Sequence, residues 1–315
     1  MGSSDNQVST DLVIRALLND NQSFPTNYLY FFSDISAPDL DEIKKIWEKI
    51  SLTRKINLLS DLESLMESDT LLVFDDTAKY ALSDSDPNVR CQAISLLWEC
   101  EDPQVAESFL VMLDEDNNES VQSSAAAALG KFVLLGELDE VSSSLANKII
   151  KSLYQTFKTS PSNEVRQEVL KSLSYANQPK IIKMISDAYQ ENEPSWQLAA
   201  VISMGRSADE RWEKQILTTL DNSHLPLQIE AVKAAGELEI PDARQKLLDM
   251  LNDSNCDMEL KFQIIWSLSK IGGDEIRDVL IKLMDESKSE DEIEIIEMAI
   301  ENLEFEGGLP SLDIF

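Results

Sequence analysis

The chain is predicted to be all-α, an α-solenoid built as a superhelix of about eight antiparallel helix pairs with a helical cap at its N-terminus. Three observations predict it. Apolar residues recur at the 3.6-residue helical period, as in Glu119 to Phe132, where Val121, Ala125, Ala128, Leu129 and Phe132 form one stripe. That stripe returns along the chain at a nearly constant interval. No run shows sustained period-two alternation, and only 9 Gly and 10 Pro punctuate the 315 residues, which favours long uninterrupted elements over strands and turns.

Taken in order, the first ten residues are polar and expected to be disordered. Residues 11–19 suit a short helix, with Leu12, Val13, Ala16 and Leu17 on one side. Phe24, Tyr28, Tyr30, Phe31 and Phe32 then cluster within nine residues. They are expected to cover the open end of a helical stack. The polar turn around Ser36 starts a helix with Pro38 in its first turn, and a second helix follows over 52–67. The expected layout is a polar N-terminus with aromatic cap at 1–37, a repeat array at 38–305 and a tail at 306–315.

The array emerges when the second helix of each pair is aligned on its first buried apolar residue. These residues are Val89, Val121, Val165, Trp196, Leu227 and Leu260. Four residues later stand Ala93, Ala125, Val169, Ala200, Ala231 and Ile264. Degenerate copies lie near Thr53-Arg54 and over Ile293 to Leu303. The one long interval, between Val121 and Val165, comes from the insertion at 135–144, the expected place for a bend. A constant period of this length means that each unit buries its apolar face against its neighbours.

The segments 86–97 (DPNVRCQAISLL), 120–132 (SVQSSAAAALGKF) and 162–173 (SNEVRQEVLKSL) resemble HEAT repeats, most of all the short bacterial type named after phycobilisome lyases. In that family a Val-Arg pair begins the second helix and an acidic residue stands in the turn before it. Arg90 and Arg166 keep the arginine, whereas Gln122, Gln197, Gln228 and Lys261 replace it, so a continuous Asp–Arg ladder is not expected. The resemblance implies a binding scaffold. It also raises an accessory role, lyase- or chaperone-like, toward a bilin- or cofactor-bearing protein.

Composition narrows the function. With 58 acidic against 27 basic residues the net charge is −31, which repels phosphate backbones and speaks against nucleic-acid partners. No apolar run approaches the ~20 residues a membrane span needs. Cys91, Cys100 and Cys256 have no disulfide spacing, since the first two fall on opposite faces of one expected helix. They suit a reducing compartment, and the cytoplasm is the expected location.

Three turns imitate a calcium loop: Asp84, Asp86 and Asn88; Asp114, Asp116 and Asn118; Asp253, Asn255 and Asp257. Each then lacks the glycine and the distal glutamate that such a loop requires, so the side chains read as helix caps. The single histidine, His224, has no metal-ligand neighbour and suits a solvated turn. HEAT-like iron hydroxylases need several His-Glu pairs, and HEAT-like base glycosylases need a cationic surface. Neither is present. No metal, cofactor or catalytic residue is expected.

Two, six and nine residues beyond the start of each stripe, side chains are expected on the face opposite the core. In the later copies these are Leu198, Ile202 and Gly205, then Ile229, Lys233 and Gly236, then Phe262, Trp266 and Ser269. Earlier copies carry Cys91, Ser95 and Trp98, then Ser123, Ala127 and Gly130, then Gln167, Lys171 and Ser174. Exposed contiguous apolar surface marks interaction sites. The expected partner site on the concave face is therefore Trp98, Leu198, Ile202, Ile229, Phe262 and Trp266, with Lys233 meeting a polar group. Residues 251–315 carry a net −12, with Glu297, Glu301 and Glu304 on the last helix, so a protein or peptide with apolar anchors and basic ends suits this face. The protein itself is expected to be monomeric. The tail, with Leu309, Leu312, Ile314 and Phe315, is a candidate for self-docking or a free linear motif, or more simply a disordered end.

Overall fold

The computed structural model describes residues 8–253, 255–273 and 275–308, with side chains through Glu304 apart from those of 254 and 274. Residues 1–7 and the proposed docking tail at 309–315 lie outside the described residues. Among those described there is no strand. The chain divides into two compact units, Met1–Ser172 and Leu173–Phe315.

The first unit begins with α1 (Thr10–Leu17), which buries Val13 and Leu17. A 3-10 segment over Thr26–Phe32 buries Leu29 and Phe32. Phe24 packs edge-on against Tyr28 at 6.0 Å, and Phe31 against Phe32 at 5.4 Å. Four of the five clustered aromatics therefore satisfy one another, while Tyr30 stays half exposed. The helices that follow are α2 (Ala37–Ile46), α3 (Leu52–Ser68), α4 (Asp75–Ala81), α5 (Pro87–Leu96), α6 (Pro103–Glu115), α7 (Glu119–Glu137), α8 (Ser143–Thr159) and α9 (Asn163–Leu173).

Hairpin packing joins α4 with α5 and α6 with α7, while the second helices α3, α5 and α7 lie side by side. Val89, Ala93, Val121, Ala125, Leu129 and Phe132 of the aligned stripe are buried to 1% exposure or less, whereas Ala128, expected in the same stripe, stays partly exposed. The valine, leucine and phenylalanine side chains of the stripe are each worth roughly 1.5–3 kcal/mol when removed from water. Short side chains such as Ala125 and Ala126 let the neighbouring helices approach. The insertion at 135–144, expected to lengthen a linker and the following helix, also carries α7 on to Glu137 before the 17-residue α8 begins at Ser143.

Starts are set chemically. Ser36 accepts from Asp39 N at 3.3 Å and Ser51 from Arg54 N at 3.3 Å. Asp86, Asn118 and Asp257, members of the calcium-like turns, cap α5, α7 and α15 (Met258–Ile271) by accepting from backbone N–H groups two residues on at 2.8, 3.0 and 2.9 Å. One sequence expectation is corrected here. Helix α5 ends at Leu96, so Cys100 lies beyond it and not on the helix of Cys91. Partly buried and beside Asp75, the Cys100 thiol is pushed up to about 11, which makes it a poor nucleophile.

Polar clamps tie successive turns together. Lys55 meets Asp84 at 2.7 Å, both nearly buried, and Trp47 Nε1 donates to the same carboxylate at 2.6 Å. One repeat later Arg90 grips Asp116 with two hydrogen bonds of 2.8 Å and donates to the carbonyls of Asp84 and Ser85 at 2.9 and 3.0 Å. At the copy with glutamine, Gln122 Nε2 donates to Asp116 O at 2.8 Å. Glutamine thus keeps the bond to the turn carbonyl and gives up only the charge.

The second unit repeats the plan with α10 (Pro179–Tyr189), α11 (Pro194–Arg206), α12 (Glu213–Thr219), α13 (Leu225–Glu237), α14 (Arg244–Leu251), α15, α16 (Ile276–Glu286) and α17 (Glu290–Gly308). Helices pair as α10 with α11, α12 with α13, α14 with α15 and α16 with α17, and α11, α13, α15 and α17 form the row of second helices. Gln197 and Gln228 donate to Glu191 O and Leu220 O at 2.9 and 2.8 Å. His224 sits exposed at the start of α13. Gly272, at φ 65°, ends α15 in the left-handed region where a Cβ is disfavoured.

Burial works to raise the Asp84 carboxyl, but the bonds from Lys55, Asp86 N and Trp47, with the Lys55 charge, outweigh it and hold it below its ordinary 3.8. Because the folded value is the lower one, the stabilisation is complete above pH ~4 and is lost as pH falls through the folded value. Replacing Asp84 by Asn should cost about 3 kcal/mol at pH 7 by leaving Lys55 buried without a counter-ion. Urea denaturation at pH 7 and pH 3 should show a shallower pH dependence for the variant than for the wild type.

Candidate functional site

Where the second helices of the second unit face outward, the aligned positions do not behave alike. Except at Trp98, which lies beyond the end of α5 and is exposed, the ninth-residue positions are not on the surface. Gly205, Gly236 and Ser269 are all buried, as are Gly130 and Ser174. Gly130, Gly205, Gly236 and Ser269 each meet the neighbouring second helix, at Ser172, Ala234, Ser267 and Asn302 in turn, and so form the seam. A Cβ on Gly236 would stand 2.8 Å from Ser267 Oγ and 2.9 Å from its Cα, and one on Gly205 would stand 3.1 Å from the Ala234 backbone. A helix inclined to its neighbour turns part of its supposed outer face into the contact, which an isolated helical wheel does not show.

In the second unit the second- and sixth-residue positions do reach solvent, each partly exposed or more: Leu198, Ile202, Ile229, Lys233, Phe262 and Trp266; Ser123, at the second position of α7, is instead buried. The structure brings three of them together. Ile229 of α13 and Phe262 and Trp266 of α15 line an open recess of about 350 Å³, closed on its far side by Ile295 and Met298 of α17. Glu259 and Gln263 complete the lining. Met298 is 52% exposed, a large apolar side chain presented to water.

Ile202 and Lys233 line a separate recess of about 360 Å³, with Tyr175, Arg206, Glu230 and Glu237. Leu198 lines neither. Trp98, 52% exposed, belongs to the first unit, just beyond the end of α5. Sequence reasoning missed Ile295 and Met298. Their signal was present, since 295 and 298 are one turn apart on the last repeat, but that copy is too acidic and degenerate to align.

The walls of the apolar recess are fixed from behind. Lys261 forms an ion pair with the nearly buried Glu292, joining α15 to the first turn of α17, and Ser287 Oγ donates to the same carboxylate at 2.7 Å. Burial works to raise Glu292, yet the bonds from Lys261 and Ser287 prevail and hold it below its ordinary 4.5. Asn302 Nδ2 donates to Ser269 Oγ at 3.3 Å, and Ser269 Oγ donates to Trp266 O at 2.8 Å. Lys270 lies 6.0 Å from the Trp266 ring centre while paired with Glu237 at 2.9 Å. The expected acidic ridge on α17 is in part engaged, because Glu304 pairs with Arg277 at 2.9 Å.

This row of packed second helices, with a polar bond at the start of each, has a counterpart among known families. The HEAT repeat profile matches residues 75–147 and 213–301, half of the chain. The chain belongs to the HEAT-repeat family. Among curated proteins no match is found. Of solved structures, the HEAT-repeat chain is similar to YibA of Escherichia coli, at 16% identity and a TM-score of 0.46 over 89% of this chain and 95% of that one. It is similar also to the CpcE–CpcF complex of phycocyanin lyase from Nostoc sp. PCC7120, at 18% identity and a TM-score of 0.46 over 73% of this chain and 95% of that one. Human deoxyhypusine hydroxylase in complex with glycerol gives 12% identity and a TM-score of 0.37, over 94% and 96%. Among the described residues no helix is long and apolar enough to cross a membrane.

The seam sets the spacing of the recess walls, so enlarging it should be costly. Gly236→Val is expected to destabilise the protein by about 2 kcal/mol through forced displacement of Ser267. Ala127→Val, at an exposed outer position of α7, should stay within about 0.5 kcal/mol of the wild type. Chemical denaturation of both variants checks this.

Proposed function

We propose that this HEAT-repeat protein is a non-catalytic scaffold that docks a helical segment of a partner protein across the second helices of its second unit. The observation that supports it is the convergence of Ile229, Phe262, Trp266, Ile295 and Met298, from three successive second helices, on one open apolar recess. Such a surface is hydrated at a cost that a complementary apolar side chain removes. Its aromatic members are the residue types that act as binding anchors.

The chemistry of the partner follows from the surroundings. A helical face offers no unpaired backbone groups for a strand to join, so an extended segment would gain no main-chain bonds there. A helix satisfies its own backbone and presents apolar anchors one turn apart. Glu259 lines the recess, and α17, which supplies two of its walls, also carries the exposed Asp291, Glu294 and Glu301, which favour lysine or arginine in the partner. The free thiols Cys91, Cys100 and Cys256 suit a reducing compartment, and a monomer acting in the cytoplasm fits this reading.

The test is the double variant Phe262→Ala/Trp266→Ala. Both side chains are partly exposed, so helical circular dichroism and melting should stay close to wild type. Capture of partner from the native host should fall at least about 100-fold, as expected for loss of two central anchors. Undiminished capture would show that the partner lies elsewhere.

A further inference from the structure

Across the second helices of the second unit the exposed charge is ordered. On α13, Lys233 is exposed and makes no ion pair among the described residues. Glu230, one turn before it, is not paired with it, and Glu237, one turn after, is taken by Lys270. Next along the row comes the apolar recess between α13, α15 and α17. On α17 follow Asp291, Glu294, Glu297 and Glu301, all exposed and without an ion pair among the described residues. The face therefore runs from a free cation, through an apolar centre, to a free acidic ridge.

We infer that the docked helix is bipolar, with an acidic residue seated at Lys233, apolar anchors in the recess and basic residues over α17. This rests on the docking reading above and adds to it the order of charges in the partner. A partner basic at both ends would set a cation against Lys233. Packed helices lie 8–10 Å apart, so α13 to α17 spans roughly 16–20 Å. At 1.5 Å per residue, the partner's acidic and basic groups stand about eleven to thirteen residues apart, with anchors midway. Because each end is an exposed ion pair, charge order tunes affinity by a few-fold and the recess supplies the rest.

Three labelled helical peptides of about eighteen residues separate the possibilities, all with the same central leucines. One carries Glu at one end and Lys at the other, one Lys at both ends, and one Glu at both. They are titrated against the full chain by fluorescence anisotropy. The bipolar peptide should bind about threefold tighter than the doubly basic one, and the doubly acidic one should bind weakest. In Lys233→Glu, folded as judged by circular dichroism, the first two should exchange rank. If the doubly basic peptide binds wild type as well as the bipolar one, or if Lys233→Glu leaves the ranking unchanged, the charge order is wrong. If no peptide binds, or if Phe262→Ala/Trp266→Ala binds them as wild type does, the docking surface itself is wrong.

Discussion

A helix hairpin with one apolar stripe on its second helix has nowhere within itself to hide that stripe, and this constraint shapes the whole chain. Val89, Val121, Val165, Trp196, Leu227 and Leu260 are each buried, together with the residue one turn later. Stacking the hairpins is what removes them from water. The stacking has a geometric requirement of its own. Second helices must come close, and they do so where the contact residue is Gly or Ala, as at Gly236 against Ser267 and Gly205 against Ala234. The small residues of the repeat are therefore as necessary to the fold as the large ones.

Polar residues serve register more than stability. Lys55 with Asp84, Arg90 with Asp116 and Lys261 with Glu292 each join one second helix to the next turn or helix, and each removes charge from water in a pair. Such pairs contribute little net energy but are expensive to break. The glutamines at 122, 197 and 228 show which part of the motif is indispensable, since all three keep the bond to a turn carbonyl without the ion pair. The motif is a hydrogen-bonded brace first and a charge ladder second.

The candidate site is a consequence of that packing. Because α13, α15 and α17 are held in a row, side chains far apart in sequence, Ile229, Phe262 and Ile295, face one recess. The Lys261–Glu292 pair behind it and the Asn302–Ser269–Trp266 bonds beneath it fix α17 against α15. Pre-organised apolar walls of this kind need little rearrangement to receive an anchor. Glu259 sets one carboxylate beside these apolar walls.

Periodicity determined the helices, their pairing and most of the buried stripe, because apolar faces repeated at the helical period must pack on one another. Yet it also placed Ala128 in that stripe and Cys100 on the helix of Cys91. Cap residues such as Ser36, Asp86 and Asn118 were equally legible, since their bonds are local. The outer face was only half legible. A helical wheel places positions two, six and nine together, and it has no knowledge of how far one helix leans on the next. Tertiary packing sent Gly205, Gly236 and Ser269 into the seam and left Phe262 and Trp266 at the surface. It separated Ile202 and Lys233 from the apolar recess and supplied Ile295 and Met298 from the least recognisable copy. Local pattern specified the elements, and the close approach of neighbouring helices decided which of their residues form a site.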